Sequence, residues 1–306
     1  MLHIPRIVLE IFLKITSIGI MSIGSMGQAF AQQLIQHGFE LYTALEDRSE
    51  RTRALAAAAG IADAGTLAQL TERCDVMLSI MNPGSALAFA DAFAQVLPAS
   101  TRKPLFVDCN AIAPDTLHAI NEKITAAGGR CLDAGIMGPP PSATTKSRLF
   151  VSGPEASELQ QLATPQLSIH IISDRIGDAS ALKICDAVMA KGITALLQML
   201  IVARRLGIED ALDAQCEGPR RTFHDWIIQT LPVMPPKSGR WVPELAQIAQ
   251  TFESVGVSGD MMRAAADVYT QVAQTALGQE APEDRDPSRS GKDVAWMLED
   301  ELRQYR

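Results

Sequence analysis

From Lys14 to about Asp174 short β-rich runs alternate with helical ones, and this alternation constrains the chain more than any other feature. Strands joined in turn by helices form a parallel sheet that the helices cover. Residues 15–20 read as the first strand, 28–36 as a helix stopped by His37 and Gly38, and 39–45 as the second strand. Ser49 is placed to cap a helix over 50–59 and Gly60 to end it. Residues 76–80, 104–108, 130–134, 149–152 and 168–172 continue the strands, with helices near 85–96 and 114–127. Beyond about residue 178 the pattern becomes wholly helical, over 178–206, 208–215, 220–230, 242–255 and 259–276. The expected fold is therefore α/β: an N-terminal parallel-sheet domain over 14–174 and an all-α C-terminal domain over 175–306, with 1–13 as an extension. Residues 280–306 read as a charged linker and a mobile terminal helix.

A chain of 306 residues is long enough for two domains with a core each. Its 47% hydrophobic and 20% charged residues are ordinary for a globular enzyme. A net charge of −8 disfavours nucleic acid, whose binders need a basic face, and 5% aromatics offers no base-stacking platform. Cys74, Cys109, Cys131, Cys185 and Cys216 are odd in number and scattered, with no metal spacing, as expected of thiols in a reducing cytoplasm. Arg6, the apolar stretch after it and Ala29-Phe30-Ala31 imitate a signal peptide, but Glu10 and Lys14 interrupt the stretch. No apolar run spans a bilayer.

The turn after the first strand, Ser22-Ile23-Gly24-Ser25-Met26-Gly27, is a GxGxxG fingerprint with serine at the first glycine. Gly24 would admit a pyrophosphate to the backbone, Gly27 would let helix pack on sheet, and the helix N-terminus would face the anion. Strand before and helix after make the sheet domain Rossmann-type. Asp47, Arg48 and Ser49 end the second strand, where an acid would bind ribose hydroxyls and an arginine a 2′-phosphate. Arg48 favours NADP(H), with NAD(H) the alternative.

These features resemble the β-hydroxyacid dehydrogenase superfamily, which includes 3-hydroxyisobutyrate and 6-phosphogluconate dehydrogenases. The resemblance covers nearly the whole chain after residue 13. Gly19 to Gly27 is similar to the family's Gly-Phe-Ile-Gly-Leu-Gly-x-Met-Gly segment, and Asp47-Arg48-Ser49 to the Asn-Arg-Thr/Ser of NADP-using members. Met81 and Asn82 stand where the family has a loop beside the nicotinamide ribose, and Asp108 to Pro114 resembles its Asp-x-Ser-Thr-x-x-Pro substrate segment. Lys183 aligns with the family's catalytic lysine, which the resemblance makes a general acid/base exchanging a proton with the oxygen whose carbon exchanges hydride. Asn110 would touch cofactor and substrate, and Ala111, Met137, Gly138 and Arg240 would complete a substrate site. Arg240-Trp241 with Glu244, Ile248 and Ala249 is similar to a C-terminal domain named as phosphogluconate dehydrogenase-like.

The departures point to the substrate. The family's Ser-Thr pair is Asn110-Ala111, its Asp-Ala-Pro-Val-Ser-Gly-Gly segment is Asp133 to Pro139, and its asparagine one turn after the lysine is Ala187. Apolar groups thus replace hydroxyls and an amide that would hold a small carboxylate, so a substrate bulkier or less polar than hydroxyisobutyrate is expected. A metal is not expected, and a homodimer or higher homo-oligomer is. Two rivals remain: an imine reductase-like enzyme, whose relatives usually replace the lysine, and a catalytically silent NADP(H)-binding regulator.

Overall fold

The computed structural model describes residues 14–303, so the extension at 1–13 lies outside the described residues. Among the described residues eight strands form one sheet: β1 (Ser17–Met21), β2 (Glu40–Thr43), β3 (Ala62–Asp63), β4 (Val76–Ser79), β5 (Leu105–Asp108), β6 (Cys131–Met137), β7 (Ser147–Ser152) and β8 (Leu167–Ser173). Their order is β3-β2-β1-β4-β5-β6-β7-β8. Strand β1 pairs in parallel with both β2 and β4, so the chain's direction of travel across the sheet reverses beside β1. Such a reversal opens a crevice at the carboxyl ends of the strands, the usual ligand position in open α/β sheets.

The sheet is not parallel throughout. Strand β7 runs antiparallel to β6, and β8 is parallel to β7, so the last two strands oppose the rest. The cause is the connection: 138–146 contains no helix, and only an antiparallel neighbour can be reached without a crossover. The helices of this half are α1 (Ser25–Gln36), α2 (Glu50–Ala59), α3 (Leu67–Arg73), α4 (Pro83–Val96) and α5 (Pro114–Ala126). Every residue of β4 and β5 is buried, as strands covered on both faces must be. Ile18, Ile20, Leu78 and Val107 meet Phe30 and Leu34 of α1 in one core cluster.

The C-terminal half contains α6 (Asp178–Lys191), α7 (Ile193–Arg205), α8 (Glu209–Ala214), α9 (Pro219–Thr230), α10 (Ser238–Ser254), α11 (Asp260–Ala273), α12 (Ala276–Gln279) and α13 (Gly291–Leu302). The single helix expected over 178–206 is two helices, interrupted at Gly192. Hydroxyls compete with the helical ladder there: the Lys191 carbonyl accepts from Thr194 Oγ1 at 2.8 Å and from the Tyr269 hydroxyl at 3.4 Å. Ile184, Leu197, Ile227, Leu245, Ile248, Tyr269 and Leu298 form this half's own core.

The chain divides into two compact units. Among the described residues, one takes 14–81, Ser85–Asn110 and Pro114–Ser180; the other takes Asn82–Gly84, Ala111–Ala113 and 181–303. The two short segments join the helical unit through α10. The Ala113 amide donates to Gln247 Oε1 at 2.8 Å, and a Cβ on Gly84 would sit 3.3 Å from Pro243 Cβ.

Candidate active site

In the sheet unit the glycine turn leaves β1 at the switch point and opens α1. Ser22 adopts φ +70°, the left-handed geometry that a glycine would adopt without strain. Its carbonyl accepts the Gly24 amide at 3.1 Å and would lie 2.9 Å from a Cβ on Gly27, so Gly27 must stay glycine for α1 to pack. A Cβ on Gly24 would meet nothing within 4 Å, and Gly24, at the N-cap of α1, has no side chain to occupy the first-turn amides. Tight packing behind the turn and open space before it fit a dinucleotide pyrophosphate at the helix start.

At the end of β2, Glu46 to Ser49 are exposed and Asp47 turns the chain at φ +54°. Ser49 Oγ caps α2 by accepting the Thr52 amide at 3.3 Å. Arg53, which the sequence reading passed over, clamps the turn from inside: its Nε donates to the Arg48 carbonyl at 3.2 Å and its guanidinium also reaches the Leu45 carbonyl. Arg48 is thereby presented on a braced loop with its own side chain exposed, a fitting partner for a 2′-phosphate.

Next to the switch point, the ends of β4 and β5 are tied by Asn110, and here the expectation of a substrate-binding side chain needs correction. Asn110 is only 3% exposed. Its Nδ2 donates to Ser79 Oγ and Asp108 Oδ2, both at 2.9 Å, and its Oδ1 accepts the Met81 amide at 2.6 Å. With both donor hydrogens committed, Asn110 braces the two loops and cannot donate to a substrate. Asn82 likewise serves the backbone, accepting the Gly84 amide at 3.1 Å at the start of α4. Met137 is buried at the end of β6, and Gly138 follows at φ +105°, where a Cβ would crowd the Lys146 carbonyl at 3.0 Å.

Two carboxylates that open the family-like segments prove to be buried in these strands, which the sequence reading did not foresee. Asp108 and Asp133 are register partners on β5 and β6. Burial above all, with the neighbouring Asp133 adding to it, pushes Asp108 up to about 7, and burial also raises Asp133. The available signal was a lone aspartate in each apolar strand, since such a group must find hydrogen-bond donors. Cys109 and Cys131 are buried beside them and their thiols are pushed well above the usual range, which removes them as nucleophiles.

In the helical unit Lys183 stands within the second turn of α6, its side chain 19% exposed and its Nζ 3.7 Å from Asp186 Oδ2. Four and eight residues further along the same face come buried Ala187 and buried Lys191. Lys191 Nζ pairs with Glu244 Oε1 at 2.7 Å and lies 4.6 Å from the centre of the Trp241 ring. Two residues of the α10 signature therefore exist to hold this lysine. Its pKa is lowered by burial, opposed by Glu244, with Lys183 and Arg240 adding like charge. Arg240 is exposed at the start of α10, and Ala111 is buried. Among the described residues no three His, Cys, Asp or Glu side chains gather as a metal site, and no helix is long and apolar enough to cross a membrane.

Residues 17–165 match the family described as the NAD binding domain of 6-phosphogluconate dehydrogenase, and residues 203–272 match a domain of unknown function, DUF1932. The mitochondrial 3-hydroxyisobutyrate dehydrogenase of Drosophila melanogaster is 24% identical over 63% of this chain and 60% of its own length. The L-threonate dehydrogenase of Cupriavidus necator is 28% identical over 64% of this chain and 68% of its own. A solved structure of a conserved protein, reported as similar to 3-hydroxyacid dehydrogenases, aligns at 26% identity with a TM-score of 0.63, covering 87% of this chain and 100% of that one. The switch-point reversal, a glycine turn open to a dinucleotide and these likenesses agree: residues 17–165 form an NAD-binding domain of the 6-phosphogluconate dehydrogenase kind, and the likenesses support the β-hydroxyacid dehydrogenase superfamily of NAD(P)-dependent dehydrogenases.

Proposed function

We propose that the protein interconverts a hydroxy acid, or a related alcohol, with its carbonyl, using NADP(H) in preference to NAD(H) and Lys183 as general acid/base. The observation that carries this reading is Lys183 itself, partly shielded in the second turn of α6 with its nearest carboxylate at 3.7 Å. That spacing leaves the ammonium free for another oxygen. The bound nicotinamide would supply the hydride acceptor or donor. As the neutral amine Lys183 Nζ takes the hydroxyl proton when the alcohol is oxidised, and as the ammonium it returns that proton when the carbonyl is reduced, so no unshielded alkoxide develops. The turn over 22–27 holds the pyrophosphate, and Arg48 selects the 2′-phosphate. Asp47 is held in a left-handed turn beside Arg48.

The substrate follows from the apolar positions. Met137 and Ala111 offer no hydrogen bond to a small carboxylate, and Ala187 is only 2% exposed. A hydroxy acid larger or more apolar than 3-hydroxyisobutyrate or L-threonate suits them, with its anion held by Arg240. Thermal-shift titration with NADPH, NADP+, NADH and NAD+ tests the cofactor, and a panel of hydroxy acids, carbonyls and cyclic imines read at the nicotinamide absorbance tests the reaction. NADPH is expected to stabilise most. Lys183→Met should lower turnover about a hundredfold or more while leaving the NADPH shift in place. An active Lys183→Met enzyme sinks the acid/base assignment, and turnover of imines alone sinks the alcohol chemistry.

A further inference from the structure

We propose that Asp133 is the positioning residue of the reaction, its buried carboxylate fixing the first turn of the helix that carries Lys183. The inference rests on the acid/base reading of Lys183 given above. Asp133 is wholly buried on β6. Its Oδ2 accepts the Gly177 amide at 3.0 Å, the Ser180 amide at 2.9 Å and Ser152 Oγ at 3.0 Å. Its Oδ1 accepts Ser180 Oγ at 2.7 Å. Ser152 Oγ in turn accepts the Ala179 amide at 3.0 Å, so one carboxylate and one hydroxyl take up three amides at the start of α6. Gly177 makes the approach possible: it turns at φ +104°, and a Cβ there would press on His118 at 3.1 Å.

The chain caps other helices far more simply. Ser49, Thr66 and Ser290 each cap the helix that begins at the next residue, from positions that are exposed or half-exposed. Capping α6 with a carboxylate from a central strand means desolvating a charge, which costs several kcal/mol more than an exposed hydroxyl does. A helix that needed only an end would not require it. What the arrangement adds is registry: Asp133 is paired with Asp108, Asp108 holds Asn110, and Asn110 holds the Met81 amide. The start of α6 is thereby referred to the same strand ends that carry the cofactor-side loops. Lys183 lies three residues beyond Ser180, less than one helical turn, so displacement of that turn moves its Nζ directly.

The test compares Asp133→Asn and Ser180→Ala with Ser290→Ala, a helix cap elsewhere. Turnover is measured with 3-hydroxyisobutyrate, L-threonate and a bulkier apolar analogue, 2-benzyl-3-hydroxypropanoate, NADPH binding by fluorescence, and hydrogen exchange over 177–185 by mass spectrometry. Asparagine removes the charge that strengthens the three bonds to Oδ2 and forces the Ser180 hydroxyl to reverse its role, so Asp133→Asn should speed exchange in that segment. Its kcat should fall on the order of a hundredfold, the effect of misplacing a catalytic group by about an ångström, with KM and NADPH affinity within about threefold. Ser180→Ala, which keeps the backbone bond, should lose about tenfold. Ser290→Ala should lower the melting temperature alone. Wild-type kcat in a folded Asp133→Asn, or unchanged exchange over 177–185 in it, overturns the proposal. If that variant does not fold, wild-type kcat and exchange in Ser180→Ala overturn it instead. An active Lys183→Met would mark failure of the lysine reading; an inactive Lys183→Met beside a fully active Asp133→Asn would mark failure of the anchoring alone.

Discussion

The ends of β5 and β6 and the core of the helical unit bury charge in opposite ways, while at the other end of β4 buried Asp75 meets Arg102 as the helical unit's charges meet theirs. In the sheet unit Asp108 and Asp133 are surrounded by hydroxyl and amide donors, and both carboxyls are raised by burial. In the helical unit the buried charges meet opposite charge. Lys191 pairs with Glu244, and wholly buried Glu299 accepts Arg205 Nε at 2.8 Å and is also bonded by Arg303. The Arg303 bond first and the Arg205 bond after it hold Glu299 down at about 2, despite burial. Neutral donors leave a carboxylate able to change its protonation and to transmit position along a strand end. The arginines lock the charge of Glu299. The first arrangement suits the edge of a reaction site, the second the interior of a bundle.

The largest effect should come from breaking a lock. Glu244→Ala strands the Lys191 ammonium, which is 5% exposed, and should cost about 3–5 kcal/mol. Trp226, Trp241 and Trp296 all lie in the helical unit, so tryptophan fluorescence during guanidinium unfolding follows that unit alone. The double variant Lys191→Met with Glu244→Leu removes both charges and should recover most of the loss. A cost below about 1 kcal/mol for Glu244→Ala would show the pair to be solvent-relaxed, like an ordinary surface bridge, and the contrast between the units would collapse.

A smaller effect, of opposite character, is expected in the sheet unit. Because the folded state raises the Asp108 carboxyl from 3.8 to about 7, folding takes up a proton between those values. The stabilisation is then fully present below the unfolded value and is lost as pH rises through about 7. Far-UV melting should show stability declining by about 2–4 kcal/mol across that window and levelling above it. Asp108→Asn, which resembles the protonated acid, should flatten most of the slope, the remainder belonging to Asp133. A slope unchanged in Asp108→Asn would place the titration elsewhere.

The units also differ in how far they could be read in advance. Strands such as β4 and β5 are plain because burial on both faces writes them as apolar runs, while β3, two residues long, leaves no pattern. The direction of β7 was hidden because an apolar run names a strand without naming its neighbour. In the helical unit periodicity located the helices but not the break at Gly192. That interruption depends on Thr194 and Tyr269 hydroxyls, the latter 78 residues from the carbonyl it meets. The tight turn at Gly24 and Gly27 and the helix cap at Ser49 were legible because their geometry is local. The bracing role of Asn110 was not legible, since only the fold discloses that Ser79, Met81 and Asp108 take its amide. The roles of Lys191 and Asp133 were hidden for the same reason: the partners of their side chains lie up to 53 and 47 residues away.

The smallest effect concerns the serine that replaces glycine in the nucleotide turn. Ser22 at φ +70° carries a left-handed penalty of about 1–2 kcal/mol. Ser22→Gly removes it, but glycine also gains freedom in the unfolded chain, which returns about 0.5–1 kcal/mol. A net gain of about 0.5–1 kcal/mol is therefore expected, read as a small rise in the melting temperature of the sheet unit. NADPH affinity should hardly change, because the Ser22 carbonyl, not its hydroxyl, receives the Gly24 amide and faces Gly27. Ser22→Ala keeps the backbone strain and should leave stability where it is. If Ser22→Gly instead weakens NADPH binding while Ser22→Ala does the same, the hydroxyl is a phosphate ligand, and the serine is retained for binding in spite of its strain.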